Sequence, residues 1–436
     1  MRRLATALLL GLPAACADGP PPPNVVLITL DTTRADRLSC YGHDRETSPN
    51  LDRLAARGVL FTRFVNVSSW TLPTHASLMT GLHPRTHGAH YDALGDETLG
   101  AAVDAEHARH FRVSALSEQA VTLAEVLRDA GYATGGVGAG PWLKPAFGLG
   151  QGFDLYDADV DQLAGRPASE VNAIALPFLR EHAGEPFFLF LNYFDPHDPY
   201  EPPPGMAASS APLDRYDAEI TVMDAALGEV LDELARLGVD DDTWIVVVTD
   251  HGEAFGEHGG KGHGHSLFEE EVRGALVIKP PANSTRRFDP DERCQQVHLM
   301  PTLLDALDVS PPGPSDAEPL GSVMRPAVAE LYENPKDAHY GVESRQRHLQ
   351  AVYRGRHKLI VSSRPGDPVA GLFDLSADPG ERDDLSTREP ELRDALHGLL
   401  AEWQATLTDP LARRAPDAID ARTLEQLEAL GYTGDR

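Results

Sequence analysis

The stretch Asn24-Val25-Val26-Leu27-Ile28-Thr29-Leu30-Asp31 decides the fold class of this chain. It is rich in apolar and β-branched residues, prolines precede it, and it ends in a carboxylate. Two later runs, Phe187 to Tyr193 and Trp244 to Thr249, are also almost continuously apolar. Such runs are typical of strands that are buried on both faces. We therefore expect three buried strands.

Helical patterns lie between these strands, at Val121 to Gly131 and at Tyr216 to Gly238, and each ends on a glycine. Strands that alternate with helices predict an α/β fold, in which helices cover both faces of a large, mostly parallel central sheet.

A proline-rich stretch around 311–319 suggests a loop near a domain border. Beyond it, residues 343–374 predict shorter strands with turns, and residues 389–403 predict a helix. We expect a main domain at 24–325 and a smaller C-terminal α+β subdomain at 326–436.

Each of the three buried strands runs into a polar cluster. The clusters are Asp31-Thr32-Thr33-Arg34, Asp195-Pro196-His197-Asp198-Pro199-Tyr200 and Asp250-His251-Gly252-Glu253. Ligand sites in α/β sheets gather at the carboxyl ends of strands. One such cluster alone fits a turn or a helix cap, whereas three in one chain favour a metal site.

The stretch Ser69-Trp70-Thr71-Leu72-Pro73-Thr74-His75-Ala76-Ser77-Leu78-Met79-Thr80-Gly81 predicts a short helix. Pro73 suits an early helical position and Gly81 suits the end. Thr71 then lies at the helix N-terminus, where free N–H groups favour a phosphate or sulfate group. The residue is either a helix N-cap or a nucleophile, and a hydroxyl attacks well only when a metal or a base lowers its pKa.

The chain has 436 residues and a formal net charge of −29. The length suits one large domain with a smaller one. A strongly acidic chain repels polyanions, which argues against nucleic acid and anionic membrane surfaces as partners. An anionic substrate must therefore be attracted locally, by a metal ion or by a helix N-terminus.

Residues 1–17 are predicted to be an export signal. Two arginines precede an apolar segment, and Ala14-Ala15-Cys16-Ala17 is a zone of small residues in which cleavage is expected. Cleavage before Cys16 would make a lipoprotein. Against this, Pro13 stands where a lipoprotein signal usually has leucine. Ordinary secretion and lipoprotein processing therefore both stay open. A proline-rich spacer follows at 18–23. We expect a periplasmic or extracellular protein that meets a membrane only through a lipid anchor on Cys16.

Motifs along nearly the whole body of the chain resemble those of the sulfatases, a branch of the alkaline-phosphatase superfamily. The resemblance implies an alkaline-phosphatase-like sandwich fold. The motifs keep the order of that family and are found at Asn24 to Asp31, Cys40 to Gly42, Thr47 to Gly58, Ser69 to Gly81, Tyr216 to Ile220, Thr249 to Glu253, Arg354 to Ile360 and Leu372 to Glu381.

The resemblance implies that Asp31, Asp250 and His251 bind one divalent metal ion and that Thr71 completes its coordination shell. Calcium is the metal that the family suggests. Sulfatases usually have a second aspartate where this chain has Thr32, and often an asparagine where it has His251. Because a carboxylate is lost and an imidazole gained, zinc or manganese also suits the site.

Thr71 stands where the sulfatases carry the cysteine of a Cys-x-Pro-x-Arg pattern, and His75 stands where they carry the arginine. In that family the cysteine is oxidised to formylglycine before it attacks sulfate esters. A threonine cannot be converted to that aldehyde. The resemblance therefore implies the fold and the metal site of the sulfatases without formylglycine at position 71.

Three histidines complete the candidate catalytic residues. His197 matches the histidine of the family's His-x-Pro-Tyr motif, which contacts the transferring group. Gly264 stands where the family has a lysine, and His263 and His265 flank it. Either of these two histidines could stabilise the leaving oxygen or act as general acid, although the loop also fits a mobile surface loop.

We therefore predict an exported, metal-dependent hydrolase of phosphate mono- or diesters. Thr71 attacks phosphorus, a histidine protonates the leaving group, and water then releases the product. One alternative is a sulfuric ester hydrolase that works without formylglycine, and another is an inactive binding protein of the same fold. The substrate is predicted to be an anionic ester, either of a small molecule or of a glycan or lipid.

Overall fold

The computed structural model describes residues 21–91, 113–162, 164–313, 315–322, 325–334, 347–417, 419–430 and 432. The predicted signal at 1–17 and the start of the spacer at 18–23 lie outside the described residues. Within the described ranges, no helix has the length and apolar character that a membrane crossing requires.

The described residues form thirteen strands and ten α-helices. The strands are β1 (Asn24–Leu30), β2 (Val59–Phe61), β3 (Ala133–Val137), β4 (Leu155–Asp157), β5 (Phe187–Tyr193), β6 (Thr243–Thr249), β7 (Ala254–Phe255), β8 (Lys261–Gly262), β9 (Leu276–Lys279), β10 (Val328–Leu331), β11 (Leu349–Arg354), β12 (His357–Ser362) and β13 (Gly371–Asp374). The helices are α1 (Pro49–Ala55), α2 (Thr71–Thr80), α3 (Pro84–His87), α4 (Leu123–Asp129), α5 (Ala168–His182), α6 (Pro212–Leu237), α7 (Glu269–Val272), α8 (Leu299–Ala306), α9 (Pro390–Gln404) and α10 (Ala421–Ala429).

The large sheet has seven strands in the order β2-β9-β6-β1-β5-β3-β4. Strand β1 lies at its centre and pairs in parallel with β5 and β6. Only β9 runs opposite to the other strands of this sheet, and it pairs antiparallel with both β2 and β6. All residues of β1, β5 and β6 are buried, because helices cover both faces of these central strands. The prediction of a large, mostly parallel sheet is confirmed.

The two faces of the sheet pack against different helices. Val26 and Ile28 of β1 belong to a core shared with α5 and α6. Val25 and Leu27 face the opposite way, into a core shared with α2, α4 and α8. This division follows from the alternation of side chains along a strand. Helix-on-sheet packing on both sides thus gives the α/β sandwich expected from the sequence.

A second sheet follows in the C-terminal part, with the antiparallel order β10-β11-β12-β13. Helix α9 packs on it through Leu396, Leu400 and Trp403. The chain then returns to the main body, where the backbone N–H of Leu411 donates to Thr86 O at 2.9 Å. The smaller C-terminal antiparallel sheet is confirmed, while the division into 24–325 and 326–436 stays a prediction.

Candidate active site

Two carboxylates meet at the carboxyl edge of the central sheet. Strands β1 and β6 are in register with Leu30 opposite Thr249, so the residues that follow them, Asp31 and Asp250, lie side by side. His251 comes next in the chain, and one ligand atom of each of these three buried residues lies within 4.8 Å of the others. The sheet register therefore assembles three residues that the sequence separates widely.

Neighbouring groups hold each carboxylate by one oxygen. Asn192 Nδ2, at the end of β5, donates to Asp31 Oδ2 at 3.3 Å. The backbone N–H groups of Thr32 and His251 donate to Asp250 Oδ1 at 3.1 and 2.8 Å. Thr32 has a φ of +49°, which is uncommon for a residue with a branched side chain. The tight turn after β1 thus leaves Thr32 N–H bonded to the carboxylate that follows β6.

The other oxygens of the two carboxylates lack a hydrogen-bond donor. Asp31 Oδ1 and Asp250 Oδ2 are buried and have no hydrogen-bond partner among the described residues. His251 Nδ1 lies 3.0 Å from Gly252 O, so Nδ1 carries the proton and the Nε2 lone pair is left over. Nε2 is 3.3 Å from Asp250 Oδ2 and 3.8 Å from Asp31 Oδ1. Asp31 Oδ1, Asp250 Oδ2 and His251 Nε2 therefore direct their lone pairs to the same place, as the ligands of a metal ion do.

Burial makes the charged form of these carboxyl groups unfavourable unless a cation lies beside them. Desolvation raises the pKa of Asp31 to about 7, and it raises the pKa of Asp250 well above its usual range. Burial lowers the pKa of His251 well below its usual range, which keeps the imidazole neutral. Buried carboxylates require pairing or a metal. Two carboxylates and one neutral imidazole thus fit a divalent metal ion.

Thr71 is the first residue of α2, and its hydroxyl points to this group. Thr71 Oγ1 lies 3.3 Å from His251 Nε2. Trp70 is the N-cap and contributes no side-chain cap, so the hydroxyl of Thr71 is left to face the site. All ten residues of α2 are buried, and Gly81 ends the helix with a φ of +68°. The helix therefore holds Thr71 rigidly beside the metal-ligand set.

His75 lies one helical turn beyond Thr71 and holds the start of the helix. Its Nδ1 is 2.9 Å from Thr71 O, and its Nε2 is 3.0 Å from Thr29 Oγ1. Burial lowers the pKa of His75 to about 4. A neutral imidazole therefore lies between the first turn of α2 and β1.

His197 and His263 lie on the open side of the same group. The two rings are 5.1 Å apart, and the ring of His263 is 4.3 Å from that of His251. His197 Nδ1 contacts Asp198 O at 2.7 Å, which leaves Nε2 as a hydrogen-bond acceptor. Glu253 Oε2 lies 3.3 Å from His263 Nδ1. Both histidines thus have one ring nitrogen anchored and the other directed into the site.

His265 occupies a different place from His263. It lines the wall of the cavity in front of the site, and its backbone N–H donates to Glu271 Oε2 at 3.1 Å. The structure thus brings the ring of His263 up to that of His251 and places His265 on the cavity wall.

Three residues of the site carry no role in the sequence prediction. Asn192 orients Asp31, Glu253 contacts His263, and the Tyr432 hydroxyl lies 2.9 Å from His197 Nε2 and 3.0 Å from His263 Nε2. The first two follow from their positions at strand ends. Nothing in the residues around Tyr432 indicates a site, since only folding brings the C-terminal segment here.

A cavity of about 480 Å³ opens onto the two histidines. Aromatic side chains form much of its wall, and Lys261 adds a positive charge. Trp70 stacks on Tyr91 with ring centroids 4.1 Å apart. Such a cavity can bind an anionic group at its base and a ring-shaped organic group along its wall.

Comparisons with known proteins agree with this geometry. Residues 23–309 match the sulfatase family. An N-acetylgalactosamine-6-O-sulfatase of Bacteroides thetaiotaomicron is 24% identical over 500 aligned residues, which cover 87% of this chain and 92% of that protein. An enzyme solved with its substrate D-glucosamine-2-N,6-O-disulfate has a TM-score of 0.71 at 18% identity and covers 88% of this chain and 98% of the other. The phosphonate monoester hydrolase of Agrobacterium radiobacter has a TM-score of 0.66 at 21% identity and covers 88% and 95%.

The family match covers well over half of the chain, and the relative spans nearly its whole length. The fold is the one that these two structures share. The chain therefore belongs to the sulfatase family and is a hydrolase of sulfuric or phosphoric ester bonds.

Proposed function

We propose that this protein is a divalent-metal-dependent hydrolase of sulfate esters, with Thr71 as its nucleophile. The observation that carries the proposal is the position of Thr71 Oγ1, 3.3 Å from His251 Nε2 and at the amino end of α2. Relatives that are sulfatases favour sulfate esters over phosphate esters. This reverses the order in which the sequence ranks the two ester classes.

In the proposed reaction, each of the site residues has a separate role. Asp31, Asp250 and His251 would hold the metal ion, which lowers the pKa of a nearby hydroxyl and neutralises the ester anion. Thr71 Oγ1 forms the bond to the sulfur atom while the bond from sulfur to the ester oxygen breaks. The proton that Thr71 gives up balances the one that the leaving oxygen takes from a histidine of the site, and water then hydrolyses the threonine ester. The N-terminal N–H groups of α2 favour the anionic group.

A second candidate function is the hydrolysis of phosphate or phosphonate esters. It is favoured by Thr71, because formylglycine cannot form there, and by His251, which adds an imidazole to the ligand set. The structural similarity to a phosphonate monoester hydrolase points the same way. Both functions use the same residues and differ in the central atom of the ester.

The test is an assay of the purified protein with 4-nitrophenyl sulfate, 4-nitrophenyl phosphate, bis(4-nitrophenyl) phosphate and a phenylphosphonate monoester. Thr71→Ala is assayed beside Thr80→Ala, which removes a buried hydroxyl from the far end of α2, where Thr80 Oγ1 donates to Ala76 O. We expect Thr71→Ala to lose turnover and Thr80→Ala to keep it.

Each outcome decides one part of the proposal. Turnover of the sulfate ester that is lost in Thr71→Ala supports the first function, and turnover of only the phosphorus esters supports the second. Full activity of Thr71→Ala would rule out Thr71 as the nucleophile. Absence of turnover in the parent, with metal bound, would point to the binding protein that the sequence left open.

The organic part of the substrate is proposed to be a sugar or aryl group, because the cavity wall is rich in aromatic side chains. Export is also part of the proposal, either as a cleaved periplasmic or extracellular protein or as a lipoprotein anchored at Cys16. Fractionation of producing cells with and without Cys16→Ser separates the two routes.

A further inference from the structure

Tyr432 reaches the active site from the C-terminal segment of the chain. Its hydroxyl lies 2.9 Å from His197 Nε2 and 3.0 Å from His263 Nε2. The Thr71 side chain is near enough to act on the pKa of Tyr432, which burial raises well above its usual range. Tyr432 is 6% exposed. One phenolic oxygen thus touches both histidines of the site and lies near the candidate nucleophile.

The position of this hydroxyl is fixed by the packing of α10. Tyr432 N donates to Leu427 O at 2.9 Å, and its ring meets Trp142 edge-on at 5.3 Å. The helix itself is tied to the main body, since Lys144 Nζ donates to Thr423 Oγ1 at 2.9 Å and Gln426 Nε2 donates to Val160 O. A side chain held in this way loses little entropy when it binds a ligand.

The hydrogen-bonding pattern leaves Tyr432 able to donate. His197 Nδ1 faces the carbonyl of Asp198, so His197 Nε2 accepts a hydrogen bond and the Tyr432 O–H is its donor. A phenolic proton can rotate about the C–O bond and serve another acceptor nearby. An ester oxygen bound between Thr71 and the histidines would be such an acceptor.

The side of the site on which Tyr432 lies indicates which ester oxygen this is. In a displacement, the attacking oxygen and the leaving oxygen lie on opposite sides of the central atom. Tyr432 lies on the side of Thr71, so its partner is an oxygen that stays on the central atom. The transition state spreads negative charge over those oxygens in a planar arrangement, and a donor fixed for that geometry stabilises it more than the ground state.

We propose that Tyr432 is a catalytic residue of this enzyme, whose hydroxyl donates a hydrogen bond to a non-bridging oxygen of the sulfate or phosphate ester. This proposal rests on the proposed function, since it takes Thr71 as the nucleophile. The family motifs found in this chain end before the segment that carries Tyr432, so the substrate contact of Tyr432 is not one that they predict.

The test compares Tyr432→Phe with the parent on a 4-nitrophenyl ester and on an alkyl ester of the same acid. Loss of one fixed donor of this kind costs on the order of 10²-fold in kcat. We expect that loss to be similar for both esters, with a much smaller change in KM. Tyr132→Phe is the control, because it removes a buried hydroxyl that donates to Pro23 O, at 3.1 Å.

A second measurement uses binding alone. Inorganic phosphate, sulfate and orthovanadate are titrated calorimetrically into the metal-loaded parent and into Tyr432→Phe, and a thermal melt verifies that the variant is folded. We expect Tyr432→Phe to weaken anion binding, most strongly for vanadate, which adopts the geometry of the displacement.

The outcomes separate this proposal from the proposed function. A parent that turns over esters through Thr71, with Tyr432→Phe equally active, would overturn the role of Tyr432 alone. A loss confined to the alkyl ester would place Tyr432 at the leaving oxygen instead. A gain in activity would mean that the Tyr432 hydroxyl blocks the substrate from the site. Either result contradicts the proposal. If the parent has no turnover, unchanged anion affinity in Tyr432→Phe overturns it.

Discussion

Asn192 illustrates how a single buried amide prepares a metal ligand. Its Nδ2 donates to Asp31 Oδ2 and to Thr29 Oγ1, at 3.3 and 3.1 Å, and its Oδ1 accepts from Ala139 N. The amide therefore fixes the carboxylate so that Asp31 Oδ1 points at His251. Partners of this kind typically contribute 10–100-fold to metal affinity.

Asn192→Ala is expected to weaken metal binding by roughly 10-fold or more, because Asp31 loses its orienting donor. The affinity is measured by calorimetric titration of chelator-treated protein with Mn²⁺, Zn²⁺ and Ca²⁺. Asn24→Ala is a matched control, since Asn24 also bridges two strands, through Thr243 Oγ1 and Phe187 N, but at the opposite end of β1. Equal affinities of the two variants would contradict the role of Asn192.

His87 makes the stability of the protein depend on pH. Its Nδ1 accepts from Ala89 N at 3.0 Å, and its Nε2 is 3.1 Å from Ser77 Oγ. The contact with Ala89 N requires an unprotonated Nδ1, and burial lowers the pKa of His87 from 6.5 to about 3. Because the folded state resists protonation, the stabilisation is complete above pH 6.5 and is lost as the pH falls from 6.5 toward 3.

His87→Gln is expected to reduce the pH dependence of unfolding within that window. One proton taken up on unfolding contributes about 1.4 kcal/mol per pH unit, and the variant lacks this contribution. Urea unfolding at about pH 4, 5 and 6, within that window, and at about pH 8, above it, measures the contribution of His87. Identical slopes of stability against pH in parent and variant would show that His87 is not protonated on unfolding.

At the scale of elements, α10 depends on its cap. Asp420 Oδ1 accepts hydrogen bonds from Thr423 N and Thr423 Oγ1, both at 2.7 Å. A cap of this kind contributes about 0.5–2 kcal/mol. The helix has nine residues, and so short a helix keeps its structure mainly through its cap and its packing.

Asp420→Ala is expected to increase hydrogen exchange in α10 and to lower kcat, because Tyr432 then loses its fixed position. The loss is expected to be smaller than in Tyr432→Phe, since the hydroxyl is still present for part of the time. Glu428→Ala, on the exposed face of the same helix, is the control. Faster exchange without any change in kcat would mean that Tyr432 is held by its own packing rather than by the helix.

At the scale of the whole molecule, a buried ion cluster joins the small sheet to the main body. Lys358 Nζ of β12 lies 3.0 Å from Glu269 Oε1, at the start of α7, and 2.8 Å from Glu381 Oε1. Tyr353 of β11 donates to the same Glu269 oxygen at 2.9 Å. Lys358 and Glu381 are buried and Glu269 is mostly buried, so water can replace little of the charge that Lys358 supplies.

Lys358→Met is expected to destabilise the protein by about 3–5 kcal/mol, because it leaves two carboxylates in the interior without a cation. The triple variant Lys358→Met, Glu269→Gln, Glu381→Gln should recover most of that loss. Urea unfolding followed by fluorescence measures both. A triple variant as unstable as the single one would show that the cost comes from packing, whereas a second unfolding transition would show the small sheet detaching by itself.

Much of the fold could be predicted from the chain alone. The expected strands at 25–30, 187–193 and 244–249 are present with their bounds shifted by no more than one residue, because a continuous apolar run has no alternative to burial. Helix α6 begins at Pro212, before the expected start at Tyr216, since its first turn is polar and lacks the apolar spacing that predicts a helix. The short helix α10 was not predicted.

The sequence by itself determined which chemical groups end the buried strands, the threonine at the start of α2 and the membership of the sulfatase family. These follow from local properties, namely apolar runs, helix ends and motif order. Only the tertiary structure decided that Asn192 orients Asp31, that His263 rather than His265 faces His251, and that Tyr432 joins the site. Those contacts depend on sheet register and on the packing of α10, which join residues far apart in the chain, and a hydrogen bond is defined by distance in space rather than by spacing in the sequence.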